Sequence, residues 1–114
     1  MIKFTFLVNK LPHLSTEEFV DYHKNHHAPL FCSIPEVELY VRKYVVNHPI
    51  VAEGFPKPLY DALVEISFDS FDDFNSFFNS ENYLTKVHPD EPTFFDTSNY
   101  VAMATNETII KAGA

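Results

Sequence analysis

Residues 1–9, MIKFTFLVN, alternate between two kinds of side chain. Ile2, Phe4, Phe6 and Val8 fall on one side of an extended chain and Lys3, Thr5, Leu7 and Asn9 on the other, because successive strand residues point to opposite faces. The stretch predicts a strand with one wholly apolar face, and every other element must be arranged around that face.

Downstream, KLPHL (residues 10–14) reads as a turn. STEE (15–18) is a capping box, with Ser15 as N-cap and Glu18 three residues on. Phe19, Val20, His23, His27, Leu30 and Phe31 follow at helical spacing, so helix one runs to about Cys32, with Pro29 kinking or ending it near Ala28. LYVRKYVVNH (39–48) is rich in β-branched and aromatic residues and reads as strand two. A proline-rich loop leads to LYDALVEISF (59–68), strand three. Ser70 to Asp73 opens helix two, with Phe71, Phe74 and Phe78 on its core face, and residues 80–87 add a turn or two. HPDEPTFFDTS (88–98) is a loop with at most one short helical turn, and NYVAMATNETII (99–110) is strand four.

The order β-α-β-β-α-β is the ferredoxin-like plan, an α+β fold with an antiparallel sheet and both helices on one face. The other face is left bare. If the apolar side of strand one lies there, a second copy is its natural cover, and two stacked sheets form an α/β barrel. A homodimer through sheet faces is expected on that ground, with the mixed faces of the strands turned toward the helices.

One domain over residues 1–114 accounts for the length, and 46% hydrophobic residues with twelve phenylalanines supply a core. A net charge of −8 with only eight scattered basic residues argues against nucleic acid and anionic membrane surfaces as partners. The single cysteine, Cys32, excludes an internal disulfide and CxxC motifs, and its position opposite the buried helix face marks it as inert. No signal peptide or membrane-length apolar run is evident, so a cytoplasmic protein is expected.

Three of the six histidines crowd into residues 23–27. His23 and His27, four apart, stack on the buried face of helix one, while His26 sits at its edge. Buried imidazoles need partners for their nitrogens, so each is either satisfied by a neighbouring polar group or placed in a pocket. A metal site would need a third ligand from His48, Asp61, Glu65 or His88, and HKNHH lacks the glutamate of HExxH; no metal is expected. Strand parity groups Tyr44 with His48, and Asp61 with Glu65. A pocket between sheet and helices then collects His23, His27, Tyr44, His48, Asp61 and Glu65, with Phe19, Leu30 and Phe78 as apolar wall. The HPDEP loop closes one mouth, from which His88 could reach in, although a turn residue is the simpler reading of it. The bland reading of Asp61 and Glu65 is a solvated strand edge or a salt bridge to Arg42 or Lys43. Nucleotide-binding glycine motifs and GxSxG are absent, so no cofactor is expected.

NHHAPL (25–30), RKYVVNH (42–48), YDALVEISFDS (60–70) and DEPTFFD (90–96) occur in the order and spacing of EthD-domain proteins, and the chain resembles that family over nearly its whole length. The resemblance implies a dimeric α/β barrel. It also implies small-molecule chemistry, since similar domains act as decarboxylases or dehydratases in polyketide pathways. Related barrels include muconolactone isomerases and cofactor-free monooxygenases. His27 matches the histidine that usually stands two residues before Pro-Leu in the family, and His48 closes the NH motif. Ala62 stands where glycine is common, and Tyr22 or His23 where helix one often has tryptophan.

The expected function is a cofactor-independent enzyme acting on a small, largely apolar, oxygenated substrate, with aromatic or polyketide-like acids and lactones fitting best. His27, helped by His23 or His48, shuttles a proton; Tyr44 holds a carbonyl or phenolate; Asp61 or Glu65 orients a histidine. Such proton transfer serves decarboxylation, dehydration or isomerisation alike, and the resemblance tilts toward a lyase. The alternatives are a non-catalytic metabolite-binding or oxygenase-accessory protein, and a cofactor-free monooxygenase.

Overall fold

The computed structural model describes residues 1–113. Four strands, β1 (Ile2–Val8), β2 (Val41–Asn47), β3 (Ala62–Phe68) and β4 (Val101–Asn106), form one sheet in the order β2-β3-β1-β4 with every neighbour antiparallel. Between β1 and β2 lie α1 (Thr16–Tyr22), a π-helical turn (His23–His27), α2 (Ala28–Cys32) and the short α3 (Glu36–Tyr40). Between β3 and β4 lie α4 (Phe71–Phe78), a second π turn (Tyr83–Val87) and a 3-10 turn (His88–Thr93). This is the ferredoxin-like α+β fold.

Both capping signals form. Ser15 accepts from the Glu18 backbone while the Glu18 carboxylate accepts from the Ser15 backbone, and Ser70 accepts from Asp73. The element α3 lies where no helix is expected, and it delays strand two to Val41.

The apolar face of β1 is turned the opposite way from the expectation. Phe4 packs edge-on against Phe74 and Phe78 of α4, with ring centres 5.4 and 5.2 Å apart. Ile2, Phe4 and Phe6 join the core of Val64, Ile66, Phe68 and Phe77, and Val8 joins Phe19, Ala62, Phe94 and Phe95. The reason is mutual need. Strand alternation shows that a face is apolar but not what covers it, and α4 carries its own phenylalanine stripe that must be buried somewhere. The lowest-cost partner for that stripe is the sheet's most apolar face, so these two meet. Register then sends Val64, Ile66 and Phe68, opposite Phe6, Phe4 and Ile2, to the helix side as well.

Lys3, Thr5, Leu7, Val45, Leu63, Glu65 and Met103 consequently occupy the uncovered face. Within α4 the fully buried residue is Phe77; Phe71, expected in the core, is 54% exposed and only stacks on Phe74. In the loop after β2, Gly54 adopts a left-handed φ of 83°, closing the turn in which Phe55 donates to the Ala52 carbonyl.

Candidate functional site

Both π turns end just before a proline. Ala28 donates to the His23 carbonyl, five residues back, and Pro29 follows; His88 donates to the Tyr83 carbonyl in the same way, and Pro89 follows. A proline ring has no N–H and collides with the carbonyl four residues earlier, so the preceding turn widens. The widening has a directional effect. Residues spaced by four drift about 40° per step around a regular α-helix. The extra residue taken up by the π turn offsets that drift, so Phe19, His23, His27 and Phe31 are all buried along one line.

At His27 and Phe31 this line meets a cavity of about 510 Å³ between the sheet and the helices. That size suits a small organic ligand. Phe4, Phe6, Ile66 and Phe95 form its apolar floor and side, Phe31 and Phe78 its walls, and His88, Leu84 and Tyr100 stand at a solvent-exposed mouth. Neither lysine nor arginine lines it among the described residues.

His27 is 5% exposed, and its Nδ1 lies 2.9 Å from Asp90 Oδ2. Asp90 Oδ1 accepts from the Tyr22 hydroxyl at 2.5 Å and from Thr93 at 3.2 Å. Burial pushes the Asp90 carboxyl up, but the hydrogen bonds from Tyr22 and His27 outweigh it and hold the group below the ordinary carboxylate range. An ionised carboxylate only accepts, so Nδ1 of His27 donates to it, and in the neutral ring Nε2 is the nitrogen with the free lone pair. Nε2 makes no hydrogen bond within the described residues, yet no buried side-chain nitrogen or oxygen there lacks a partner. Nε2 is therefore not sealed off, and His27 is part of the cavity lining.

Tyr44 lines the same cavity and stacks on Phe31 at 4.1 Å. Burial raises its phenol well above the usual range, which keeps the hydroxyl a donor at any working pH.

His23 lies behind the wall. It is 2% exposed, packed against Phe19 and Phe94, with Nδ1 3.0 Å from His48 Nε2. Burial first, then the proximity of His48 and His27, lowers its pKa to about 3. One neutral ring donates to the other, which ties helix one to the end of β2. His48 itself is lowered, by burial and then by Lys24, and it lines a separate apolar recess of about 300 Å³ with Leu7, Leu59 and Leu63.

Of the residues expected at the site, His27, Tyr44, Phe78 and His88 line the main cavity. Phe19, His23 and Leu30 do not; Phe19 is core and Leu30 is half-buried elsewhere. Asp61 and Glu65 are also absent from it, which corrects the expectation that either orients a histidine. Asp61 accepts the Lys10 backbone N–H at 2.8 Å, and Glu65 lies on the opposite face, 3.0 Å from Lys3 and held by Asn47. The reversed β1 face is the cause, since Glu65 sits opposite Thr5 in register. The carboxylates that do reach the cavity's histidines, Asp90 and Glu91, come from the loop expected only to close its mouth. Among the described residues no group of three or more histidine, cysteine or acidic side chains is placed to hold a metal ion, and no helix is long and apolar enough to cross a membrane.

A ferredoxin-like sheet with an aromatic cavity under its helices defines the class of protein. The EthD domain matches residues 11–98, and the chain belongs to the EthD-domain family. An EthD family protein from Bacillus halodurans C-125 superposes with a TM-score of 0.71 at 18% identity, over 95% of this chain and 100% of that one. An EthD-like protein from Ralstonia eutropha JMP134 gives 0.72 at 16% identity, over 97% and 95%. A dimeric ferredoxin-like protein from Bacteroides fragilis gives 0.65 at 12% identity, over 93% and 95%. No curated protein sequence matches the chain.

Proposed function

We propose that the protein is a cofactor-independent enzyme that moves protons on an uncharged, apolar, oxygenated compound of aromatic or polyketide type, as a lyase or isomerase. The observation that carries this reading is His27, bound through Nδ1 to an ionised Asp90 and standing in the lining of a cavity of substrate size. In that setting Nε2 takes a proton from a carbon beside a carbonyl. The C–H electron pair moves into a new C=C bond and the carbonyl pair onto oxygen, where the Tyr44 hydroxyl receives it as a hydrogen-bond donor. The imidazolium formed at His27 is stabilised by the Asp90 carboxylate, which Tyr22 holds in place. The aromatic walls favour a flat apolar body, and the lack of a lining lysine or arginine among the described residues disfavours a carboxylate ligand.

We take the working unit to be a homodimer joined through the uncovered sheet faces, in the cytoplasm. Leu7, Val45, Leu63 and Met103 give that face apolar side chains, and the structurally similar proteins from Bacteroides fragilis and Thermobifida fusca are described as dimeric. The single cysteine fits a reducing compartment.

The test uses 4-phenylbutan-2-one in D₂O, with deuterium entry beside the carbonyl followed by NMR. The wild type is expected to speed exchange above buffer. His27→Gln is expected to lose at least tenfold of that acceleration while the ketone still binds, since general-base contributions run about 10²–10⁴-fold. Equal exchange by wild type and variant would remove the role given to His27, and binding without any exchange would leave a metabolite-binding protein.

A further inference from the structure

The 3-10 turn carries two adjacent carboxylates, and each builds the same arrangement in a different direction. Asp90 joins the Tyr22 hydroxyl (2.5 Å) to His27 Nδ1 (2.9 Å). Glu91 joins the Tyr83 hydroxyl (2.7 Å) to His88 Nδ1 (2.9 Å). His27 and His88 line one cavity, the first buried, the second at the mouth with 60% of its side chain exposed.

We propose that His88, oriented by Glu91 and Tyr83, is a second acid–base group of this cavity, giving a proton to a leaving oxygen while His27 removes one from carbon. The substrate class this fits is an uncharged β-hydroxy carbonyl compound. The proposal rests on the catalytic reading of His27 and extends it.

A histidine that merely decorates a surface needs no oriented carboxylate. Here the Glu91 side chain is only 14% exposed and Tyr83 only 7%, so the trio is built into the wall. A carboxylate withdrawn from water needs hydrogen-bond donors, and Glu91 has one on each oxygen. As at His27, the carboxylate accepts from Nδ1, which leaves Nε2 as the ring's other working nitrogen. Burial, reinforced by Glu91, raises the Tyr83 phenol, so it remains a donor. Exposure of His88 then has a use, since it can reload its proton from water between turnovers.

The step balances as an elimination. The α-carbon's proton goes to Nε2 of His27 and its electron pair forms the C=C bond. The β-carbon–oxygen bond breaks, and its pair takes the proton from Nε2 of His88 imidazolium, releasing water. His27 ends charged and His88 neutral, and proton exchange with solvent restores both. Tyr44 holds the carbonyl throughout.

The test uses 4-hydroxy-4-phenylbutan-2-one. Water loss is followed by the ultraviolet absorbance of the conjugated enone, and α-deuterium exchange by NMR on the same samples. The wild type is expected to do both, and His27→Gln to lose both. For His88→Asn the ratio of enone formation to α-exchange is expected to fall at least tenfold, in the range of general-acid effects. Glu91→Gln is expected to give the same split more weakly, with probe binding unchanged. A merely structural role would not separate the two readouts. Enone formation by His88→Asn at the wild-type rate, or wild-type exchange without any enone, would overturn this proposal and leave the His27 reading standing. A wild type that accelerates neither would overturn both.

Discussion

Acidification should unfold this protein by charging a histidine that has no room for charge. His23 is 2% exposed, and its pKa falls from 6.5 to about 3 through burial first and then the nearby His48 and His27. The native state therefore refuses a proton that the unfolded chain accepts below about pH 6.5. With a depressed histidine pKa, this contribution to stability is intact above the unfolded value and is lost as pH falls toward the native one. Between pH 7.5 and 5.0 the loss from His23 alone is about 2 kcal/mol, obtained from the two pKa values by proton linkage. Urea denaturation followed by circular dichroism at fixed protein concentration measures it, as a midpoint about 1 M lower at pH 5.0 for a slope near 2 kcal/mol/M. His48 shifts in the same direction, so the wild type alone does not isolate His23. His23→Gln does, because it cannot titrate but still offers His48 a hydrogen bond. Its stability should fall by about 2 kcal/mol less than the wild type's over the same pH interval. Equal losses in the two proteins would show that the folded state protonates His23 as readily as the unfolded one, and the picture of a sealed, neutral imidazole pair would be wrong.

Two further outcomes follow from the packing. Phe77 is fully buried among Phe31, Phe68, Phe78 and Tyr83, so Phe77→Ala should cost about 3–5 kcal/mol in chemical denaturation; a loss under about 1 kcal/mol would mean the helix–sheet core is not where it is described. Leu63 lies near the start of the inner strand β3 on the uncovered face, so Leu63→Asp should shift sedimentation from dimer to monomer with the monomer still folded; an unchanged dimer would place the interface elsewhere.

The elements announced by local chemistry are found where the sequence places them. The alternation of residues 1–9, the Ser15–Glu18 capping box and the Ser70 cap each depend on neighbours within a few positions, and each forms. His27 was legible as a buried helix residue for the same reason. What was not legible depends on long-range choice. Whether Phe4 faces helices or a second sheet is decided by α4, some seventy residues away, and the error at β1 carried Glu65 to the wrong side with it. In α4 itself the spacing of Phe71, Phe74, Phe77 and Phe78 admits more than one helical phase, and only packing against Phe68 and Phe31 selects Phe77 as the buried residue. Asp90 and Glu91 lie in a proline-flanked turn with no periodicity to read. One signal was present. HHAP and VHP both set a histidine just ahead of a helix-breaking proline, and both mark the walls of the cavity.

That pairing explains how a modest fold presents two histidines to one space. The sheet supplies a floor of phenylalanines, which any apolar residues of similar volume would approximate. The polar geometry comes from two places where helix is forced to misbehave. Pro29 and Pro89 each widen the turn before them, and the widened turns carry His27 on one side and Tyr83 with His88 on the other. The six-residue 3-10 turn His88–Thr93, which includes Pro89, then sets its carboxylates side by side, so one reaches back to Tyr22 and His27 while the next stays with Tyr83 and His88. Both halves of the site thus share a single short segment. Shifting that segment by one residue would exchange the aspartate for the glutamate, whose extra methylene changes the reach, and neither histidine would keep its partner.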